Sequence, residues 1–572
     1  MDQGLILQEG VKNKMVLTGQ ELLEYACGQF EGGAYETALR AFVLAYARNY
    51  EREWILENIY NCYMAGNEME FRNSYGRWDF GEKTAYEKCM LDFIPYCEGE
   101  YYIYDREIQE FRGVFSVKTV ESVVRQECFK QSEFSAMAAI TDWNWSKMPE
   151  ILSEAEYRKV YLVCKDKNRC DSFFKIPELE KFAKNIMIFS CKEEFQQYFH
   201  ENTAEYLPKQ CAGEEEERQG LLEIINQEHA YRLTPEGRNT ERVLLTIGIP
   251  TYERGNLLLK RLENLRQMPY DAEIEFAISK NGTALYQEEY KSVSSIPDAR
   301  INYKGYDETL TAWYNCKSVM QIAAGKFVLI VSDEDDVIIS ALEHYLKVLS
   351  SYTDLAMVRA KTCVQYSTID RTMYYKKGKE ALLGGFLGQN YMSGAIYHRE
   401  KFWKSGVDVW DEKYYEDNSF YGFYPHAWCQ VLLSDMGDYL EDNVCLISEG
   451  DSAYEDMKEQ YSQTGNSLAE NLKWDRNIPV YATWESRIEQ HKDALECIHD
   501  FAGGDKELEL KMLQRMLEKT VYLMINVKDK YELNEKKELA NTFVDETLLR
   551  LDAFGMGLSE KSKDGIISQL LS

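Results

Sequence analysis

Basic charge is in short supply: 66 Lys and Arg stand against 96 Asp and Glu in 572 residues, a formal net charge of −30. A surplus of that sign opposes binding to a phosphate backbone or an anionic lipid surface, so no nucleic-acid partner is expected. A single nucleotide is not excluded, because one divalent cation reverses the local potential of an acidic pocket. The 14 cysteines contain no CxxC pair or other metal-ligand spacing, so free thiols in a reducing cytoplasm are expected. The start has no basic stretch followed by an apolar run, and the longest strongly apolar run, around Phe327 to Val331, is too short to cross a bilayer. No basic amphipathic segment points to a membrane surface. These absences lead us to expect a cytoplasmic protein without a transmembrane segment, and the length predicts three or four units.

The apolar spacing divides the chain. From Gly19 to about Leu152 it is helical, with Leu22, Leu23, Ala26 and Phe30 followed by Tyr35, Ala38, Leu39, Phe42, Ala45 and Tyr46. The stretch Gly32 to Leu39 resembles the turn and second-helix start of a tetratricopeptide unit, and an ordinary helical hairpin explains it equally well. We therefore expect a helical region over 1–152. Short β-rich runs at Val160–Cys164 and Ile186–Ser190 predict a small α/β unit over 153–212. The segment 213–241, opening Gly-Glu-Glu-Glu-Glu-Arg, reads as a charged helix and linker. After about Gly450 helical spacing returns, as in Leu508, Met512, Leu513 and Met516, so 450–572 is expected to be helical.

The chemistry concentrates in 242–449. Val243 to Pro250 has the pattern of a buried strand ending at a proline, followed by Thr251, Tyr252, Glu253 and Arg254 and then a leucine-rich helix. A second strand, Glu273 to Ser279, runs into Lys280-Asn281-Gly282. A third, Lys326 to Ser332, delivers Asp333-Glu334-Asp335-Asp336. Open α/β sheets bind ligands outside the carboxyl ends of their strands, where all three turns would lie. Four acidic residues after a strand could also be no more than a solvated helix start.

This order of elements resembles the family 2 glycosyltransferases with a GT-A fold. The resemblance rests on the Ile-Pro-Thr-Tyr-Glu-Arg opening, the Ser-Lys-Asn-Gly turn, the Ala-Ala-Gly-Lys-Phe-Val-Leu-Ile-Val-Ser-Asp-Glu-Asp-Asp block and the segment Tyr391 to Tyr397. It implies an α/β, Rossmann-like GT-A domain flanked by helical regions, Mn²⁺ or Mg²⁺, and a nucleotide-diphosphate sugar donor, with UDP favoured. Asp333 and Asp335 match the family's Asp-x-Asp pair, with Asp335 the preferred metal ligand and Glu334 beside the donor. Pro250, Thr251, Tyr252, Glu253 and Arg254 would border base and ribose, together with Lys280 or Asn281. Many relatives carry an acid at that second turn to accept the uracil N–H, whereas Lys280 supplies only donors.

An inverting transfer also needs a base for the acceptor hydroxyl, and two residues compete for it. Pro425 suits a first helical turn, which would put His426 where the family's acidic base lies, as base or metal ligand. Asp417, in a Glu-Asp pair, matches in residue type but falls earlier. Asn390, Ser393 and Gly394 would line the acceptor side, Gly394 by leaving room for substrate. Tyr391, Trp410, Tyr414, Tyr415, Tyr421, Tyr424 and Trp428 offer sugar-stacking faces or simply core. The acceptor would be a protein or a surface glycan, and the competing reading is a non-catalytic scaffold with a degenerate transferase domain.

Overall fold

The computed structural model describes residues 17–78, 83–122, 134–141, 148–283, 285–363, 369–388, 391–450, 472–473, 478–555 and 559–571. The chain divides into two compact units, one comprising 1–202 and 207–228, the other 203–206 and 229–572, so the division falls inside the helix Glu215–Arg232.

The first unit opens with an antiparallel pair of helices, Gly19–Glu31 and Tyr35–Ala47. Thr18 caps the first, its hydroxyl accepting from the Glu21 N–H while Glu21 reaches back to the Thr18 N–H. Leu22, Ala26, Ala38, Leu39 and Phe42 are buried between the pair, as the helical spacing predicts. The all-helical expectation for 1–152 fails further on. Leu91–Cys97 (β1), Glu100–Asp105 (β2) and Glu110–Ser116 (β3) form an antiparallel meander, and Met137–Thr141 (β4) is a strand of a second sheet. The reason is composition: Tyr101, Tyr102 and Tyr104 in β2 and Phe111 and Phe115 in β3 are aromatic residues that fit a pleated, half-buried surface. Val160–Cys164 (β5), Ile186–Phe189 (β6) and Gln210–Ala212 (β7) join β4 in a parallel sheet of order β6-β5-β4-β7.

The second unit is built on a nine-stranded mixed sheet. Leu245–Tyr252 (β8), Ile274–Asn281 (β9), Ile301–Gly305 (β10) and Phe327–Ile330 (β11) are mutually parallel in the order β10-β9-β8-β11. Asp336–Val337 (β12), Leu355–Cys363 (β13), Met373–Tyr375 (β14), Ala395–His398 (β15) and Asp438–Ser448 (β16) complete it. β15 is antiparallel between β11 and β13, and β16 carries both β12 and β14. This is the α/β architecture expected of 242–449, and from Trp484 onward the described residues form mainly helices.

Small residues set the spacing of this sheet. A Cβ on Gly248 would lie 2.3 Å from Val319 Cγ1, so the helix Ala312–Ile322 rests directly on β8. A Cβ on Gly325 would meet Thr246 Oγ1 at 2.6 Å; the Gly325 N–H instead donates to that hydroxyl, and the Ala324 N–H to Glu275 Oε2. The turn that launches β11 is thus tied to β8 and β9. The free-thiol expectation is corrected at one place: Cys363 and Cys445 form a disulfide, Cα atoms 6.2 Å apart, because β13 and β16 run side by side there. Among the described residues no helix is long and apolar enough to cross a membrane.

Candidate active site

The acidic loop leaves β11 in the middle of the sheet, beside the carboxyl end of β8. That placement lets residues far apart in sequence hold its carboxylates. Asp333 is 2% exposed; the Thr251 hydroxyl donates to its Oδ2 at 2.7 Å and Arg254 Nη1 lies 3.1 Å from its Oδ1. The same Arg254 nitrogen reaches Glu334 Oε2 at 3.2 Å. Tyr290 fixes this corner: its hydroxyl is hydrogen-bonded to Thr251 Oγ1 at 2.9 Å and accepts from the Arg254 N–H at 2.9 Å. Burial pushes the Asp333 carboxyl above its usual range against the opposing pull of Arg254.

Asp335 is held from another direction. Tyr391 donates its hydroxyl to the carboxylate, 2.9 Å from each oxygen, and Ser393 Oγ donates to Oδ2 at 2.5 Å while accepting from the Ser332 N–H. Burial again raises the carboxyl, and the negative charges of Glu334 and Glu449 add to it. Arg261 braces the loop from below, with Nη1 2.7 Å from Asp336 Oδ1 and Nη2 donating to the Glu334 carbonyl at 2.8 Å. A Cβ on Gly450 would fall 1.8 Å from that carbonyl oxygen, so only glycine fits where the chain passes under the loop. These ties make the cluster a constrained turn and exclude the solvated helix start: the next helix begins only at Ile339.

Of the remaining sequence candidates, Pro250, Thr251 and Tyr252 end β8 in register with Ser279, Lys280 and Asn281. Glu253 takes a left-handed backbone, φ +54°, and its carboxylate accepts from the Leu285 N–H. A Cβ on Gly282 would collide with that carboxylate. Lys280 is 7% exposed with its ammonium over the Tyr290 ring, 5.5 Å from the centroid. The side chain of Asn281 is spent on the backbone: Nδ2 donates to the Leu310 carbonyl and Oδ1 accepts from the Leu310 N–H, both at 2.7 Å. It orders the segment leading to the helix Ala312–Ile322, leaving Lys280 as the polar end of β9 whose side chain makes no hydrogen bond among the described residues.

Two acceptor-side expectations change. Ser393 is a brace for Asp335 and the Ser332 N–H, and Gly394, at φ +88°, is required by packing: a Cβ there would meet Thr362 Cγ2 at 3.0 Å and the Ala360 carbonyl at 3.2 Å. Asn390 lies outside the described residues. Trp410 is packed against, and Tyr414, Tyr421 and Trp428 lie within, the hydrophobic core, while Tyr391 serves Asp335. Pro425 opens the helix Pro425–Leu433 as expected, with His426 half-buried in its first turn. Asp417 is exposed in the turn before Asn418, which caps the helix Ser419–Phe423.

Sequence reasoning missed Tyr290, Arg261 and the part played by Asn315. Asn315 is 3% exposed, its Nδ2 donates to the Thr251 carbonyl at 3.2 Å, and its Oδ1 is buried without a partner. Its only sequence signal is a polar residue in a helix whose buried residues also include Lys317 and Ser318.

For a divalent cation the donor set is selective. Among the described residues no three His, Cys, Asp or Glu side chains are gathered as a metal site. Asp333 is turned toward Arg254 and Thr251. Asp335 retains lone pairs beyond its three hydroxyl contacts, which fits Mg²⁺ or Mn²⁺ held by one carboxylate, with phosphate and water oxygens completing the shell.

No family model matches this sequence, and no curated protein is detectably similar to it. Among solved structures it is similar to S. aureus TarS residues 1–349 in complex with UDP-GlcNAc, at 13% identity and TM-score 0.38, over 57% of this chain and 90% of that one. The same protein in complex with UDP gives 12% and 0.37, over 57% and 89%. The mannosyltransferase PcManGT from Pyrobaculum calidifontis, in complex with GDP-Man and Mn²⁺, gives 12% and 0.30, over 66% and 96%.

Proposed function

We propose that the second unit is a metal-dependent, inverting glycosyltransferase of the family 2 type with a GT-A fold, moving a sugar from a nucleotide diphosphate, UDP favoured, to a protein or surface-glycan acceptor. The observation that carries this reading is the acidic loop itself. Two buried carboxylates two residues apart, at the end of a central parallel strand, are each held by groups from separate elements at a cost in desolvation. A structural turn needs no such arrangement.

The division of labour follows from the contacts. Thr251, Tyr290 and Arg254 fix Asp333 beside the β8 turn, where donor ribose would lie, and Lys280 presents a cation at the adjoining strand end. Asp335, aimed by Tyr391 and Ser393, would hold the cation, which would supply neutralisation of the charge that grows on the diphosphate as the glycosidic bond breaks. His426, half-buried in a first helical turn, or Asp417, exposed in the turn before Asn418, takes the acceptor proton.

The test is nucleotide release from a panel of UDP- and GDP-sugars with and without Mn²⁺. Metal-dependent release that Asp335→Asn abolishes supports the assignment, and wild-type release in that variant overturns it. His426→Ala and Asp417→Asn separate the bases: the variant that binds donor but does not turn over identifies the group. If neither Mn²⁺ nor any nucleotide raises the melting temperature, the scaffold reading replaces this one, since a ligand of the native state must stabilise it.

A further inference from the structure

The first unit carries a thiol pair for which the proposed sugar transfer has no use. Cys164 ends β5 and Cys170 lies in the helix Lys167–Ser172, so a strand end, a two-residue connection and one helical turn bring them together. Their sulfurs are 2.6 Å apart, within about 0.6 Å of the roughly 2.0 Å bond of a disulfide, and both residues are 0% exposed. The two are chemically unequal. Cys170 donates its S–H to Cys164, which holds the Cys164 thiol below its usual range against burial, while burial pushes Cys170 well above it. Cys164 is therefore the readier thiolate, and Cys170 is placed to resolve a bond formed on it.

The contacts of that short helix give the pair a consequence. Four of its six residues reach the meander β1–β3 or the chain leading into it. The Asn168 carbonyl accepts from the Met90 N–H at 3.3 Å, Ser172 Oγ from the Leu91 N–H at 3.1 Å and Asp171 Oδ2 from the Thr84 N–H at 2.8 Å, while Arg169 Nε donates to Asp105 Oδ2 at 2.9 Å. Leu91 and Asp105 face each other at one end of the β1–β2 pair. The strands β1–β3 and β4–β7 belong to separate sheets, and the helix Lys167–Ser172 bridges them.

We propose that Cys164 and Cys170 are a redox-active pair whose oxidation to a disulfide staples the helix Lys167–Ser172 to β5 and so fastens the meander to the parallel sheet. The oxidant is a low-molecular-weight disulfide such as oxidised glutathione. The Cys164 thiolate attacks it, forming a mixed disulfide and releasing one small thiolate. Cys170 then gives its proton to solvent and attacks the Cys164 sulfur, releasing the second. Two protein thiols and one small disulfide thus become one protein disulfide and two small thiols. The connection between the two cysteines is at the surface, with the Lys165 side chain 63% exposed, so exchange proceeds through local opening of a helix six residues long. The staple stands apart from the transferase reading, since every residue in it belongs to the first unit.

The test compares the full chain held in dithiothreitol with the full chain held in oxidised glutathione, each alkylated in denaturant, digested with trypsin and mapped by mass spectrometry. After oxidation the peptides Val160–Lys165 and Cys170–Lys175 are expected to be joined, two hydrogens lighter than their sum; after dithiothreitol each is expected to carry its own alkyl group. Amide exchange then reads the staple. At Met90 and Leu91 it is expected to be about tenfold slower in the oxidised chain, and Cys170→Ser is expected to remove that difference. Alkylation of both cysteines after oxidation, a mixed disulfide that stays unresolved, or pairing of either with another cysteine overturns the pair. Equal exchange in the two redox states of the wild-type chain, a comparison that needs no variant to fold, overturns the staple. A redox difference at Met90 and Leu91 that persists in Cys170→Ser would assign it to another bond, such as Cys363–Cys445, and overturn the staple as well.

Discussion

Replacing Arg254 with methionine removes the cation facing Asp333 while keeping much of the aliphatic stem. Breaking a buried ion pair by deleting one partner costs about 3–5 kcal/mol. Here the Arg254 side chain is 24% exposed, Asp333 only 3%, and Thr251 still donates to the stranded carboxylate, so about 2–3 kcal/mol is expected. With roughly 2 cal/mol/K of unfolding entropy per residue, a unit spanning 203–206 and 229–572 loses about 1.4 °C per kcal/mol, giving a fall of about 3–4 °C. The loss depends on pH in a defined sense. Burial already raises the Asp333 carboxyl, and without Arg254 it rises further, so the folded state binds a proton more tightly than the unfolded chain. Stability then falls as pH rises through that raised range, so the deficit measured at about pH 8 exceeds that measured at about pH 5. Differential scanning fluorimetry of Arg254→Met at both values, with and without Asp333→Asn, reads all of this. The double variant should recover most of the deficit. A deficit equal at both pH values and untouched by Asp333→Asn would show that Arg254 does not stabilise the protein through the Asp333 carboxylate.

Other substitutions probe the same supports. Asp335→Asn should abolish metal-dependent turnover yet raise the melting temperature of the apoprotein at neutral pH, because it removes a carboxylate whose ionised form is disfavoured by burial, Glu334 and Glu449. The carboxyl is raised in the folded state, so that gain should fade as pH drops below its range; a variant less stable than wild type at neutral pH would contradict it. Gly248→Ala should cost about 1–3 kcal/mol through the clash with Val319, and Val319→Ala should restore most of it; no rescue would place the strain elsewhere. In the first unit, Asp92 holds Arg106 Nε at 2.6 Å and Lys175 Nζ at 3.0 Å. Asp92→Ala should therefore cost about 3–5 kcal/mol, seen as faster amide exchange in β1 and β2. Unchanged exchange there would mean the buried lysine finds another partner.

What the sequence made legible and what it hid separate along a physical line. β8, β9 and β11 could be read because each is a run of buried apolar residues ending in polar ones, and burial on both faces writes itself into the sequence over four to eight consecutive positions. Partnerships across the chain leave no such trace. Asp333 and Asp335 look equivalent as two acids in one turn, yet one answers to a threonine and an arginine on β8 and its turn, the other to a tyrosine and a serine ahead of β15. Asn281 and Gly394 mislead for the same reason: a polar residue at a strand end and a glycine near a site suggest ligand contact, while a backbone 29 residues away and a neighbouring strand had already claimed them. The consequence for the chemistry is specific. The loop's two carboxylates are set by different parts of the sheet, so a change at Arg254 or Tyr290 should disturb the Asp333 side first, and one at Tyr391 or Ser393 the Asp335 side. If so, Tyr391→Phe should weaken Mn²⁺ dependence while sparing nucleotide affinity, and Thr251→Val should do the reverse. Identical effects of the two on both quantities would show that the loop moves as one body and that the apparent division between its acids has no functional meaning.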